Sequence, residues 1–160
     1  LLGYADKLVA VSENSAYKVS LDFIKWGSNS DVANQALIKL VAFKINGDHK
    51  YLASVQEDID YLLGRNATGY CFVTGFGSRQ VMNIHHRPSG SDGIADPCPG
   101  FLAGGPNTIV LNDCPEINRS TFPAKSYADA ECSYSTNEVA INWNAPLFFV
   151  LSAMDSLKKR

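Results

Sequence analysis

Two short stretches gather the residue types that can move a proton and grip a polyol. The first, "YADAECSYSTNEVAINWNAP", runs from Tyr127 to Pro146 and sets Asp129, Tyr134, Glu138 and Trp143 among Tyr127, Asn137, Asn142 and Asn144. A carboxylic acid can deliver a proton to a departing oxygen. Amides and phenols hydrogen-bond hydroxyl groups, and an aromatic face can stack on the apolar face of a pyranose. Each residue also has a plainer reading. Ser135 to Glu138 matches a capping box, in which the glutamate folds back onto the amide at the helix start, and Asp129 alone is an ordinary loop carboxylate. Their company, repeated over twenty positions, favours a site that holds a sugar and protonates one of its oxygens.

The second stretch is "NIHHRPSGSD", Asn83 to Asp92, which carries His85, His86 and Arg87. Adjacent histidines suggest zinc, but no third ligand follows at a short spacing and Arg87 would repel the ion. Fixed donors to sugar hydroxyls suit these side chains better, the alternative being a surface loop with solvated charges. Just beyond, "SDGIADP" places Asp92 and Asp96 four apart on a glycine turn. Carboxylates on a flexible loop are Ca²⁺ ligands, although EF-hand spacing is absent and a metal-free turn is the simpler reading.

Four helices are expected to position these stretches. The first spans about Leu1 to Glu13, with Leu1, Leu2, Ala5, Leu8 and Val9 on one face. The second starts at Ser30 or Asp31, either of which can cap it, and stops before Asn46-Gly47, a C-cap. The third opens near Asp48 and runs to Gly64, packing antiparallel to the second across a tight connection. The fourth runs from about Ser135 to Lys158, with Pro146 either kinking it or lying in the first turn of a regular part that starts at Asn144. Between Gly64 and Tyr134 lie most of the glycines and every proline except Pro146. A stretch of that length with little regular structure is functional or disordered, and Tyr70, Phe72, Phe76, Phe101 and Leu102 give it enough apolar material to fold.

Composition is that of a globular protein, with 46% apolar and 19% charged residues among 160 and a net charge of −2. No basic run offers a nucleic-acid footprint, and no apolar run is long enough to cross a membrane as a helix. Cys71, Cys98, Cys114 and Cys132 are widely spaced. Three fully paired disulfide arrangements or free thiols are all compatible with them. The opening "LLGYADKLVA" has no initiator Met and already shows helical spacing, so the chain reads as a piece of something longer.

Together the two stretches resemble the family 9 glycoside hydrolases, the cellulase family with an (α/α)6 barrel. "FVTGFGSRQVMNIHHR", Phe72 to Arg87, is similar to the family's pattern ending in His-x-Arg, which falls on His85 and Arg87, with Cys71 a small departure just before it. The family's aromatic-x-Asp-x4-aromatic-x3-Glu-x-Ala-x3-Asn-Ala pattern is met by Tyr127, Asp129, Tyr134, Glu138, Ala140, Asn144 and Ala145. "WGSNSDVANQAL", "DYLLGRNATGY" and "DPCPGFLAGGPN" also look like family passages, the last closer to its cellodextrinase and cellobiohydrolase-like branch.

The resemblance implies an all-α fold, with this chain forming the C-terminal segment of the barrel, about four helices plus long active-site loops. It implies hydrolysis of β-1,4-glucosidic bonds in cellulose, cellodextrins or related glucans with inversion. Glu138 would be the general acid, Asp129, which would shape the site, and His85 would complete the catalytic set, and His85 and Arg87, with His86, Tyr134 and Trp143, would meet the glucan. No cofactor is required for this chemistry; Asp92 and Asp96 are the candidate ligands of a structural Ca²⁺ ion. Inversion also needs a second carboxylate, ~6.5–9.5 Å from the first, to activate water. The family's Asp-Ala-Gly-Asp motif, which supplies that base, does not occur in this sequence. The expected partners are therefore a β-glucan and the N-terminal part of the same catalytic domain, and the expected location is secreted or cell-surface. A carbohydrate-binding remnant, or a structural fragment inactive by itself, is the alternative.

Overall fold

The computed structural model describes residues 1–159. Helices α1 (Leu2–Asn14), α2 (Ser28–Asn46) and α3 (His49–Leu62) are followed by a long loop region. Within it lie two short helices, α4 (Arg87–Ser91) and α5 (Tyr134–Asn137), and a 3-10 turn at Pro123–Lys125. The final helix, α6, spans Ile141–Lys158. The described residues form no extended strand, only isolated bridges. The expected all-α class holds.

The α2–α3 connection follows from its sequence. Gly47 takes the left-handed conformation (φ 73°) and its amide donates to the Phe43 carbonyl, closing α2. Asp48 then accepts from the Lys50 amide and opens α3. Glycine adopts this conformation without a Cβ penalty, and the aspartate satisfies one of the free first-turn amides. The start of α2 departs from expectation. It begins two residues before Ser30, with left-handed Gly27 at the N-cap and no side-chain cap.

Helix α2 lies at the centre, packed against α1, α3 and α6. Ala36, Leu40, Val55, Ile59 and Val150 form one apolar cluster, and Ala5, Val9, Ala42 and Tyr51 another. Between α2 and α3 sits an ion pair with no exposure on either side chain: Lys39 Nζ lies 2.5 Å from Asp58 Oδ2. Lys39 also donates to the Ser54 hydroxyl and Asp58 accepts from the Ser20 amide, so the buried charges are hydrogen-bonded as well as paired. Burial pushes the Lys39 ammonium down and the Asp58 carboxyl up, and the contact between them opposes both shifts.

The largest cluster joins the helices to the loops. Val32, Ala33, Tyr61, Leu62 and Leu147 meet Phe72, Val73, Val81, Ile84, Leu102 and Ala103. The loop region is thus a folded layer seated on the ends of α2, α3 and α6. Cys114 and Cys132 are joined as a disulfide within it, while Cys71 is buried and free and Cys98 is exposed and free.

Candidate active site

Glu138 occupies a junction where three loop segments meet. Its carbonyl accepts from the Gly104 amide at 3.0 Å, and it forms an isolated bridge with His85, whose amide donates to the Asn137 carbonyl at 2.9 Å. Gly104 in turn accepts from the Asn29 amide in the first turn of α2. A relay of backbone bonds therefore ties the Glu138 main chain to the central helix.

The capping box, the plainer reading of Ser135 to Glu138, is absent. Glu138 follows the last residue of α5 with extended geometry (ψ 146°), and α6 begins only at Ile141. The local Ser-x-x-Glu signal yields because the Glu138 backbone is drawn into the bridge with His85 and the bond from Gly104. Ser135, instead of capping, lies inside α5, where its amide and hydroxyl both donate to Asp113 Oδ2. One of the two expectations for Pro146 is replaced as well. The proline lies well inside α6, beyond its first turn, so the regular part does not start at Asn144.

The Glu138 side chain is half-exposed and, among the described residues, receives one donor, the Trp26 indole N–H, at 3.0 Å from Oε2. The Trp26 ring lies 5.4 Å from that of Tyr134, which lies 6.0 Å from His85. Trp26, Tyr134 and His85 are all exposed, a run of three rings that begins at the indole bonded to the carboxyl. Trp26 was not singled out by its local sequence. The signal available for it was its place at the head of the family-like passage "WGSNSDVANQAL". Gly27 must lack a side chain, because a Cβ there would meet the Trp143 ring at 2.9 Å, and one at Gly104 would meet it at 3.2 Å. Trp143, expected to bind substrate, is packed against both glycines and so braces the Trp26 turn and the Glu138 segment.

The remaining candidates sort by what they touch. Asp129 accepts from the amides of Met82 and Asn83, and its carbonyl accepts from the Asn83 amide side chain. It fastens the loop that leads into His85. His85 Nδ1 lies 3.1 Å from the Glu131 carbonyl, which orients the ring. His86 contacts the Ser89 hydroxyl through Nδ1, caps α4, and packs against Phe101 with ring centres 4.8 Å apart. Arg87 is exposed at the start of α4, and among the described residues its guanidinium has no hydrogen-bond partner.

Three residues read as sugar-facing are occupied inside the protein. Tyr127 packs on Tyr70 and Phe72 and donates to Asn137 Oδ1 at 2.6 Å. Burial first, then Asp129 and Tyr70, hold its phenol well above the ordinary range, so it stays a donor. Asn137 is fully buried and gives its amide group to the carbonyls of Ala128, Ala130 and Ser133. Asn144 accepts from the Leu102 amide and donates to the Ala140 carbonyl. Much of the polar density around Glu138 therefore shapes the loops that carry it.

Asp92 accepts from the Ile94 amide in a local turn, and neither Asp92 nor Asp96 meets two other acidic, histidine or cysteine ligands. Among the described residues such a trio occurs only at Cys114, Glu116 and Cys132. The two sulfurs there are bonded to each other, which removes them as thiolate ligands.

Residues 4–151 match the model of the family described as Glycosyl hydrolase family 9. Over 98% of its length the chain is 42% identical to the xyloglucan-specific endo-beta-1,4-glucanase BoGH9A of Bacteroides ovatus, covering 27% of that protein. It is 36% identical to a cellodextrinase of Butyrivibrio fibrisolvens over 94% of this chain and 28% of the other. The solved structure of AaCel9A, in complex with cellobiose-like isofagomine, superposes with a TM-score of 0.87 at 38% identity, over 96% of this chain and 30% of that one. The chain thus spans less than a third of the length of each of these relatives. With both motifs inside the matched span, and a structural likeness that extends through helices and loops alike, the chain belongs to glycosyl hydrolase family 9.

Proposed function

We propose that this chain is the acid-bearing, C-terminal portion of a catalytic domain that hydrolyses β-1,4-glucosidic bonds with inversion. Glu138 protonates the glycosidic oxygen as the bond to the anomeric carbon breaks. A second carboxylate, from the portion of the domain that this chain does not include, takes a proton from the attacking water. His85, Arg87 and Tyr134 meet the sugars on either side of the cleavage point, while Asp129 and Trp143 hold the loops in register. The substrate class is a β-1,4-linked glucan, as the names of the relatives suggest. The Cys114–Cys132 disulfide supports an oxidising, extracytoplasmic setting.

The observation that carries this reading is the contrast within Glu138. Its backbone is tied to three segments, whereas its half-exposed carboxyl receives, among the described residues, a single donor from the first of a run of three exposed rings. A structural glutamate would have its carboxyl occupied. The test is Glu138→Gln in the complete enzyme, which keeps the shape and removes the transferable proton. Turnover of cello-oligosaccharides should fall by roughly 10²-fold or more. An aryl glucoside with a good leaving group, which needs less protonation, should lose much less. Equal losses on both substrates would mean a structural glutamate and not the acid.

A further inference from the structure

A carboxyl group that donates a proton has two oxygens, and its geometry is useful only if the proton sits on the right one. In Glu138 that choice is constrained by Trp26. Indole N–H is a donor and cannot accept, so the oxygen it faces must offer a lone pair. Trp26 Nε1 lies 3.0 Å from Glu138 Oε2. In a protonated carboxyl the carbonyl oxygen is the better acceptor, so the acidic hydrogen is left on Oε1. The indole is itself held in place. Its ring packs on Tyr134, and the backbone turn that follows it is braced by Trp143 against Gly27.

We propose that Trp26 is a positioning residue for the acid, which fixes the Glu138 carboxyl through Oε2 and keeps the transferable proton on Oε1. The inference rests on the reading of Glu138 as the general acid. In the step itself the Oε1–H proton passes to the glycosidic oxygen as the carbon–oxygen bond breaks, and its bonding pair stays on the carboxylate. Water adds at the anomeric carbon and gives its proton to the second carboxylate. The hydrogen bond from Trp26 strengthens as negative charge appears on Glu138, because bonds to an ionised acceptor are stronger than those to a neutral one. It therefore contributes most in the transition state, where it speeds the reaction.

The test compares Trp26→Phe with Glu138→Gln in the complete enzyme on two substrates, a cello-oligosaccharide and an aryl cellobioside with a good leaving group. Phenylalanine keeps an aromatic ring beside Tyr134 and removes the N–H together with the five-membered ring that carries it. For Trp26→Phe, kcat on the cello-oligosaccharide should fall about tenfold, a fraction of the whole general-acid effect, while kcat on the aryl substrate changes less than about twofold. Preserved aryl turnover also reports that the variant is folded. An equal loss on both substrates, or no loss on either, would overturn the positioning role. If instead Glu138→Gln leaves cello-oligosaccharide turnover intact, the assignment of the acid itself fails. The two failures are thereby distinguishable.

Discussion

Two buried ion pairs, one in each half of the molecule, are alike in chemistry and opposite in what they hold. Lys39 and Asp58 join α2 to α3 at 2.5 Å, with both side chains fully buried. Asp113 and Arg119 meet at 3.1 Å in the loop layer, with side-chain exposures of 0% and 3%. The first pair sits between helices whose backbones satisfy themselves, so it locks one packing of two ready-made elements. The second replaces regular structure. Arg119 donates to the Val110 carbonyl and reaches the Ser135 hydroxyl, and Asp113 takes the Ser135 amide one turn before Glu138. In the helical half side chains position helices, whereas in the loop half they position the backbone directly. That is how a layer without strands or long helices holds a carboxyl steady.

The largest expected effect tests whether the loop half is a complete site. In this chain the carboxylates that match the family patterns are Asp129 and Glu138, and Asp129 is already engaged by the Met82 and Asn83 amides. The chain expressed by itself should give no turnover on soluble cello-oligosaccharides. Turnover by the isolated chain, lost on Glu138→Gln, would show that the water-activating base lies within these 160 residues. The helical half gives a physical reason to expect association as well. Ile141, Phe148 and Phe149 on α6 are 89%, 76% and 51% exposed, an apolar face of the kind that marks an interface.

The ion pairs themselves come next. Removing one partner of a buried pair leaves an uncompensated charge and costs about 3–5 kcal/mol. Asp58→Ala should therefore raise amide exchange throughout α2 and α3, since the opening it causes is that of the helical half. Asp113→Ala should be local by comparison. Exchange should rise across residues 110–119 and 133–138 with little change in α2 and α3, and cello-oligosaccharide turnover should fall as Glu138 loses its footing. Matching exchange patterns for the two variants would erase the distinction between the halves.

The same distinction explains what could be read from the sequence. The tight joint at Gly47 and Asp48 and the course of α3 were legible, because cap residues and helical spacing act within a few positions. The two family-like stretches read as belonging together, and the structure brings His85 beside both Tyr134 and Glu138. The capping box at Ser135 to Glu138 was misleading because its local preference is overridden by Gly104, His85 and Asp113, all distant in the chain. Tyr127, Asn137 and Asn144 were over-read for the same reason, since their partners are backbone and side-chain groups that only the fold supplies. Trp26 was passed over because its hydrogen bond spans 112 positions. Helix α2 starts ahead of Ser30 because its first turn is served by a distant loop and not by a capping side chain: the Asn29 amide donates to the Gly104 carbonyl.

The smallest expected effect is at Asp48, and it sharpens the comparison by contrast with Asp129. Both are aspartates that accept from backbone amides: Asp48 from Lys50, two residues on, and Asp129 from Met82 and Asn83, 47 and 46 residues away. Asp48 also lies 3.2 Å from the Lys50 ammonium, but both side chains are 44% exposed, so this ion pair adds little. Losing the cap should cost little stability. In the complete enzyme Asp48→Ala should loosen the first turn of α3 in hydrogen exchange and leave turnover unchanged. Asp129→Ala frees amides in the loop that carries His85, so it should lower cello-oligosaccharide turnover even where its effect on exchange in the helices is nil. A drop in activity from Asp48→Ala comparable to that from Asp129→Ala would mean that the helix joint and the site move as one body.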